Sequence, residues 1–121
     1  MSSLFQICKN ASPFLFGFLL IVATEANSAE QAEDIYKTYC SQCHGMQGDG
    51  MGINIRDMSV QPRDHTDKKQ MSARSDEELY KAIKEGGQAL SKSLLMPAWE
   101  GVLTDDEIKG LVRYLRNLCN C

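Results

Sequence analysis

The chain has 121 residues, a formal net charge of −3, and 43% hydrophobic against 24% charged residues. That length holds one domain of ordinary size, and the acidic balance argues against nucleic acid as a partner, because such binding draws on a surplus of Lys and Arg. Four of the five cysteines fall into two close pairs, Cys40 with Cys43 and Cys119 with Cys121, and each pair requires a covalent explanation.

At the front, Lys9 precedes the apolar run Phe14 to Ala23, and the small residues Ala26, Ser28 and Ala29 follow it. This is a signal-peptide layout, and the run of about ten residues falls short of the roughly 20 that a helix needs to cross the hydrocarbon layer. The expected division is a signal peptide over 1–29, cut after Ala26, Ser28 or Ala29, and one domain over 30–121. Left uncut, the segment would tether the domain to a membrane. Removing it takes away Lys9 and Glu25 together, so the charge stays at −3, and Cys8 leaves with it. An exported chain resides in the periplasm, where thiols are not kept reduced.

From Glu30 to about His44, Ala32, Ile35, Tyr36 and Tyr39 recur at helical spacing, which predicts an amphipathic first helix. Four glycines between Gly45 and Gly52 then predict a tight loop. Ile53 to Ala73 contains Pro62, scattered charge and no sustained period, and reads as loop with at most a turn of helix. So long an irregular stretch suits a domain that wraps a bound group. Ser75-Asp76-Glu77-Glu78 has the capping-box form, and Leu79, Ala82 and Ile83 supply a buried stripe before Gly86-Gly87 stops the second helix. Thr104-Asp105-Asp106-Glu107 repeats the form. Ile108, Leu111, Val112 and Leu115 then carry a third helix to about Leu118. With no period-two alternation, the domain is expected to be all-α.

Cys40-Ser41-Gln42-Cys43-His44 is the C-x-x-C-H signature of covalent haem attachment. Positions three and four apart on a helix share a face, so Cys40, Cys43 and His44 address one flat ligand. The two thiols add to its vinyl groups while the imidazole reaches iron. A structural zinc site would need a further pair of ligands, and a thioredoxin-like motif would need a βαβ context that the pattern lacks.

On these residues the chain resembles the class I cytochrome c family over essentially all of residues 30–121. The likeness rests on Cys40 to His44, the following Gly45-x-x-Gly48-Asp49-Gly50, the later pair Met96-Pro97, and an apolar last helix bearing an aromatic. It implies three main helices and long loops wrapped around one covalent haem c. First and last helices would cross at Ala32, Tyr36, Leu111 and Tyr114, although the family's first small residue is usually Gly.

The remaining site residues follow from position and from this resemblance. Met96 is the expected distal iron ligand, since it lies in the loop before the last helix and Pro97 holds it extended. A neutral Met opposite His raises the reduction potential relative to two His ligands. Trp99 resembles the family's aromatic beside the haem, and the Pro62 carbonyl its acceptor for the free N–H of the proximal His; Arg63 faces either a haem propionate or solvent. Met46, Met51, Met58 and Met71 read as gap-filling side chains. His65, the only other histidine, reads as an exposed loop residue and as the rival to Met96. Lys68, Lys69, Lys81, Lys84 and Lys92 offer a basic rim for acidic partners.

Cys119-Asn120-Cys121 lies outside the family pattern. An internal disulfide, a bond to a partner chain, a second thioether and a frayed oxidised tail all remain open for it.

The resulting expectation is a non-enzymatic, periplasmic monohaem carrier that passes one electron at a time between redox partner proteins, as a monomer or as a subunit of a complex. It would meet a membrane only through such a complex or an uncut signal segment. The alternatives are a dedicated haem subunit of a respiratory or dehydrogenase complex and an open-site haem protein acting on peroxide or sensing a gas.

Overall fold

A computed structural model describes the backbone of residues 19–121 and the side chains of residues 27–121. Cys8, Lys9 and the start of the apolar run therefore lie outside the described residues, while Ala26, Ser28 and Ala29 fall within the first helix. The helices are α1 (Leu19–Ile35), α2 (Ser41–His44), α3 (Lys68–Ser72), α4 (Asp76–Glu85) and α5 (Asp105–Cys119). Among the described residues there is no strand beyond an isolated bridge between Glu100 and Leu103. The long elements α1, α4 and α5 are the three main helices of the expected all-α fold.

The first helix departs from a simple amphipathic rod. Between α1 and α2 the chain makes a π-helical turn, Tyr36–Cys40, in which the Ser41 N–H reaches back to the Tyr36 carbonyl. A π-turn inserts an extra residue into the helical repeat. Ala32 and Tyr36 stay on the face packed against α5, and the attachment motif is rotated off the register that a constant 3.6-residue period gives. Periodicity alone cannot register that insertion.

Both capping boxes form. Ser75 and Glu78 exchange side-chain and backbone bonds at the start of α4, and Thr104 and Glu107 do so at α5, satisfying N–H groups that a helix start otherwise leaves free. The stretch Ile53 to Ala73 holds more structure than expected: a 3₁₀ turn over Ile53–Asp57 and the short α3. Asp67 caps α3 by accepting from the Gln70 N–H at 3.0 Å, so the Asp67-x-x-Gln70 pattern carried a start signal that the reading passed over.

α1 crosses α5 where Ala32 meets Gly110: a Cβ placed on Gly110 would sit 3.5 Å from that of Ala32. Tyr36 and Tyr114 pack beside the crossing with ring centroids 5.1 Å apart. The resemblance pointed to Ala32, Tyr36, Leu111 and Tyr114, but the second small residue of the crossing is Gly110. The core below it contains the fully buried Tyr36, Met71, Ile108 and Leu111. Met71 fills the core as expected, whereas Met46 and Met51 are exposed and fill nothing.

Candidate functional site

α2, the loop after it, α4, α5 and the segment from Gly87 to Trp99 enclose a cleft of about 750 Å³, within the range of cofactor pockets. Its walls are largely apolar, with Leu79 and Ile83 from α4 and Leu111 and Leu115 from α5. Cys40, Cys43 and His44 line it, and so do Met96, Pro97 and Trp99. The structure thus brings the two halves of the sequence-predicted site into one cavity.

The loop after α2 holds the motif by direct backbone contact. The Gly50 N–H donates to the His44 carbonyl at 2.8 Å and the Gly52 N–H to the Cys43 carbonyl at 3.2 Å, satisfying acceptors that the helix end leaves free. Gly52 lies so close to the Gln42 carbonyl that a Cβ there would collide with it. No side chain fits, so the glycine is required by this approach.

His44 Nδ1 lies 3.0 Å from the Arg63 carbonyl oxygen. A carbonyl only accepts, so Nδ1 carries the proton and Nε2 keeps the lone pair. The acceptor is Arg63, one residue beyond the Pro62 carbonyl that the resemblance suggested. The Pro62 oxygen is turned to Gly50, whose added Cβ would lie 3.0 Å from it. Burial pushes the His44 imidazole below its usual basicity, the hydrogen bond to Arg63 partly opposing it, and the neutral ring is the metal-binding form. Arg63 itself lines the cleft and donates from Nη1 to Gln70 Oε1 at 3.0 Å.

His65 is not exposed. It is 8% accessible, its Nδ1 is 3.1 Å from the Tyr36 hydroxyl, and its ring stacks on His44 with centroids 4.2 Å apart and planes inclined by 18°. Burial, then the neighbouring His44 and Arg63, depress its basicity well below the ordinary histidine value. The structure thus corrects the exposed loop position expected from the sequence: His65 is an inner residue packed between Tyr36 and His44.

Met96 is half-buried and its backbone is fixed by the glycine pair that ends α4. The Gly87 N–H donates to the Met96 carbonyl at 3.0 Å, and the Gly87 carbonyl accepts from Lys92 at 2.8 Å. A Cβ on Gly87 would strike the Ser93 carbonyl and come within 3.0 Å of Met96 Cβ. Gly86-Gly87 therefore does more than stop a helix, a role that the sequence reading did not assign. The Trp99 N–H is held by the Ile83 and Lys84 carbonyls, both at 3.1 Å, and its ring meets Tyr39 at 5.2 Å.

These residues fit a covalently attached haem. Cys40 and Cys43 are free thiols, while Cys119 and Cys121 are bonded to each other. Burial, reinforced by Cys43, pushes the Cys40 thiol up to about 11. Two unpaired thiols, one imidazole nitrogen with an available lone pair and a thioether share one apolar cleft. Of the lysines expected to form a rim, Lys84 is paired with Asp105 at 2.9 Å and Lys81 with Glu85 at 4.0 Å.

No curated protein matches the chain. Among solved structures, a component of a reducing HAO-like protein complex of Kuenenia stuttgartiensis is 27% identical with a TM-score of 0.59; the alignment takes in 74% of this chain but only 41% of that one. A c-type cytochrome named KustC0563 is 26% identical at a TM-score of 0.57, covering 72% of this chain and 95% of its own. Cytochrome CL from the marine methylotroph Methylophaga aminisulfidivorans shares the fold at 19% identity and a TM-score of 0.57, over 92% and 72% of the two chains. The family described as cytochrome c oxidase, cbb3-type, subunit III matches residues 27–115, from α1 through the attachment motif and into α5. The chain belongs to this family of c-type cytochromes, proteins that carry covalently bound haem c and transfer electrons.

Proposed function

We propose that the chain is an exported, non-enzymatic carrier of one electron on a single haem c, joined through Cys40 and Cys43 and ligated by His44 and Met96. The observation that carries this reading is the His44 Nδ1 bond to Arg63 at 3.0 Å inside a cleft shared with both thiols and Met96. It presents one imidazole nitrogen for ligation and fixes the ring's orientation.

Haem iron supplies a one-electron ferrous–ferric couple. The protein's part is to hold the two ligand side chains still and keep water away. Arg63 fixes His44, and Gly87 fixes the backbone of Met96. Leu79, Ile83, Leu111 and Leu115 make the surroundings apolar, which favours the less charged redox state and raises the potential. With His44 held through its ring and Met96 through its backbone, little of the protein would rearrange on electron transfer. In this reading residues 1–29 are a signal peptide, residues 30–121 the domain, and the periplasm its compartment. Among the described residues no helix is long and apolar enough to cross a membrane.

The test is the optical spectrum of the ferric protein, in which a weak red-side band marks Met–iron ligation. Met96→Ala should abolish the band and open the ferrous protein to carbon monoxide, and a band that survives would move the ligand to another residue. A second reading, a haem-bearing part of a larger redox assembly, draws on the likeness to a component of the Kuenenia complex, of which this chain spans 41%. Co-purification of a stoichiometric partner from the native host would favour it over a free carrier.

A further inference from the structure

The π-turned haem cleft makes no use of the second cysteine pair, which closes at the end of α5. Cys119 and Cys121 are joined in a disulfide across a single intervening residue. A cross-link stabilises a fold by restricting the unfolded chain, and the effect shrinks with the length of the loop closed. A ring this short contributes least as a staple. The core also has no need of it, because α5 is already capped by Asn120 in a left-handed conformation and by the Cys121 N–H on the Arg116 carbonyl at 3.1 Å.

The two sulfurs have unequal surroundings. Cys119 is 3% accessible and belongs to the hydrophobic core, while Cys121 is exposed. Arg116 Nη1 lies 3.6 Å from Cys121 Sγ. That guanidinium is itself immobilised: Nε bonds Asp76 Oδ1 at 2.8 Å, Nη1 the Met71 carbonyl at 2.9 Å and Nη2 the Arg74 carbonyl at 2.6 Å. Its anchors are Asp76 and two backbone carbonyls rather than the disulfide, and it remains charged at any working pH. A fixed cation at this distance favours a thiolate on Cys121 over the opposing field of the helix end. Cys119 Sγ lies 3.3 Å from the Arg116 carbonyl. In the disulfide there is no proton to share across that gap, but a reduced Cys119 thiol finds an acceptor waiting.

We propose that Cys119–Cys121 is a second redox site, a two-electron thiol–disulfide couple that exchanges with a dithiol, Cys121 being the exchanging sulfur and Arg116 its positioning cation. A thiolate of the dithiol attacks exposed Cys121 Sγ; the Cys119–Cys121 bond breaks, a bond to Cys121 forms, and Cys119 leaves and takes up a proton. The second thiolate of the dithiol then attacks the dithiol's first sulfur, breaking its bond to Cys121 and releasing Cys121 as a thiolate. The dithiol becomes a disulfide, and its two electrons reside on the cysteine pair.

The experiment uses native, folded holoprotein in buffers of reduced and oxidised dithiothreitol, with reactive thiols counted by maleimide labelling and mass analysis. With the haem iron reduced beforehand, the expected result is a reversible gain of two thiols at unchanged helicity and ferrous haem absorbance, with Cys121 labelled roughly tenfold or more faster than Cys119 and half-maximally below the ordinary thiol value of about 8.5. Sulfurs that stay closed until the chain is denatured would overturn the proposal, as would a Cys121 that reacts no faster than an ordinary thiol. The haem reading fails separately, through extra labelling at Cys40 and Cys43 before any reductant is added.

Discussion

Gly87→Ala tests whether the glycine pair after α4 holds the distal side of the site. The added methyl collides with the Ser93 carbonyl and sits 3.0 Å from Met96 Cβ. The obstacle on one side is backbone, which cannot swing aside as a side-chain tip does, so relief requires the 88–96 segment to lift. Overpacking of this kind costs about 1–3 kcal/mol, and loosening the Gly87 N–H to Met96 carbonyl bond adds about 1 kcal/mol. If the strain is relieved by opening the segment, a bias of about 2–4 kcal/mol raises the open population roughly 30- to 700-fold. Carbon monoxide titration of the ferrous protein reads that population directly, and chemical denaturation reads the cost to the whole fold. Expected are tighter carbon monoxide binding, a weakened Met–iron band and a lower denaturation midpoint. A variant that loses stability but keeps the band and the ligand resistance of the parent would refute the argument that Gly87 positions Met96.

Ile108→Ala removes a fully buried side chain from the α5 face that meets the rest of the core, and should cost about 2–5 kcal/mol in urea denaturation; a loss below 1 kcal/mol would mean the core collapses around the gap. Tyr36→Phe deletes the hydroxyl paired with His65 Nδ1 and should cost about 1–3 kcal/mol, the penalty for leaving a buried polar group unpaired. Backbone N–H groups of Ser75 and Thr104 hold Glu78 and Glu107 below their ordinary value of 4.5. Between the folded and unfolded values the unfolded chain binds more protons. Their contribution is therefore complete above the ordinary value and is lost as pH falls through the depressed one. Glu107→Gln should flatten the acid limb of the stability–pH curve; an unchanged slope would assign that limb to other carboxylates.

The parts of this fold legible in the sequence are those written in local patterns. Ser75-x-x-Glu78 and Thr104-x-x-Glu107 marked two helix starts because capping depends only on residues three apart, and Cys40 to His44 announced the attachment chemistry because its ligands lie on one turn. Most of what stayed hidden depends on residues far apart in the chain. Gly110 became a crossing point only because Ala32 lies opposite it, and nothing near Gly110 in sequence says so. His65 looked like a loop side chain because its burial is made by Tyr36 and His44, 29 and 21 positions away. The π-turn at Tyr36–Cys40 escaped because a single inserted residue leaves the apolar pattern on either side intact.

The two sides of the cleft use the same device. On the His44 side, Gly50 and Gly52 bring a loop onto the carbonyls of His44 and Cys43; on the Met96 side, Gly87 brings another onto the Met96 carbonyl. In each case a side chain would strike a backbone carbonyl, that of Gln42 in one and Ser93 in the other. Backbone is the stiffest support available, having no rotamers to exchange. The segments that carry His44 and Met96 are thus braced by backbone within one cleft. In the proposed ligation the same two side chains would serve the iron in either charge state, the condition for low reorganisation and rapid transfer.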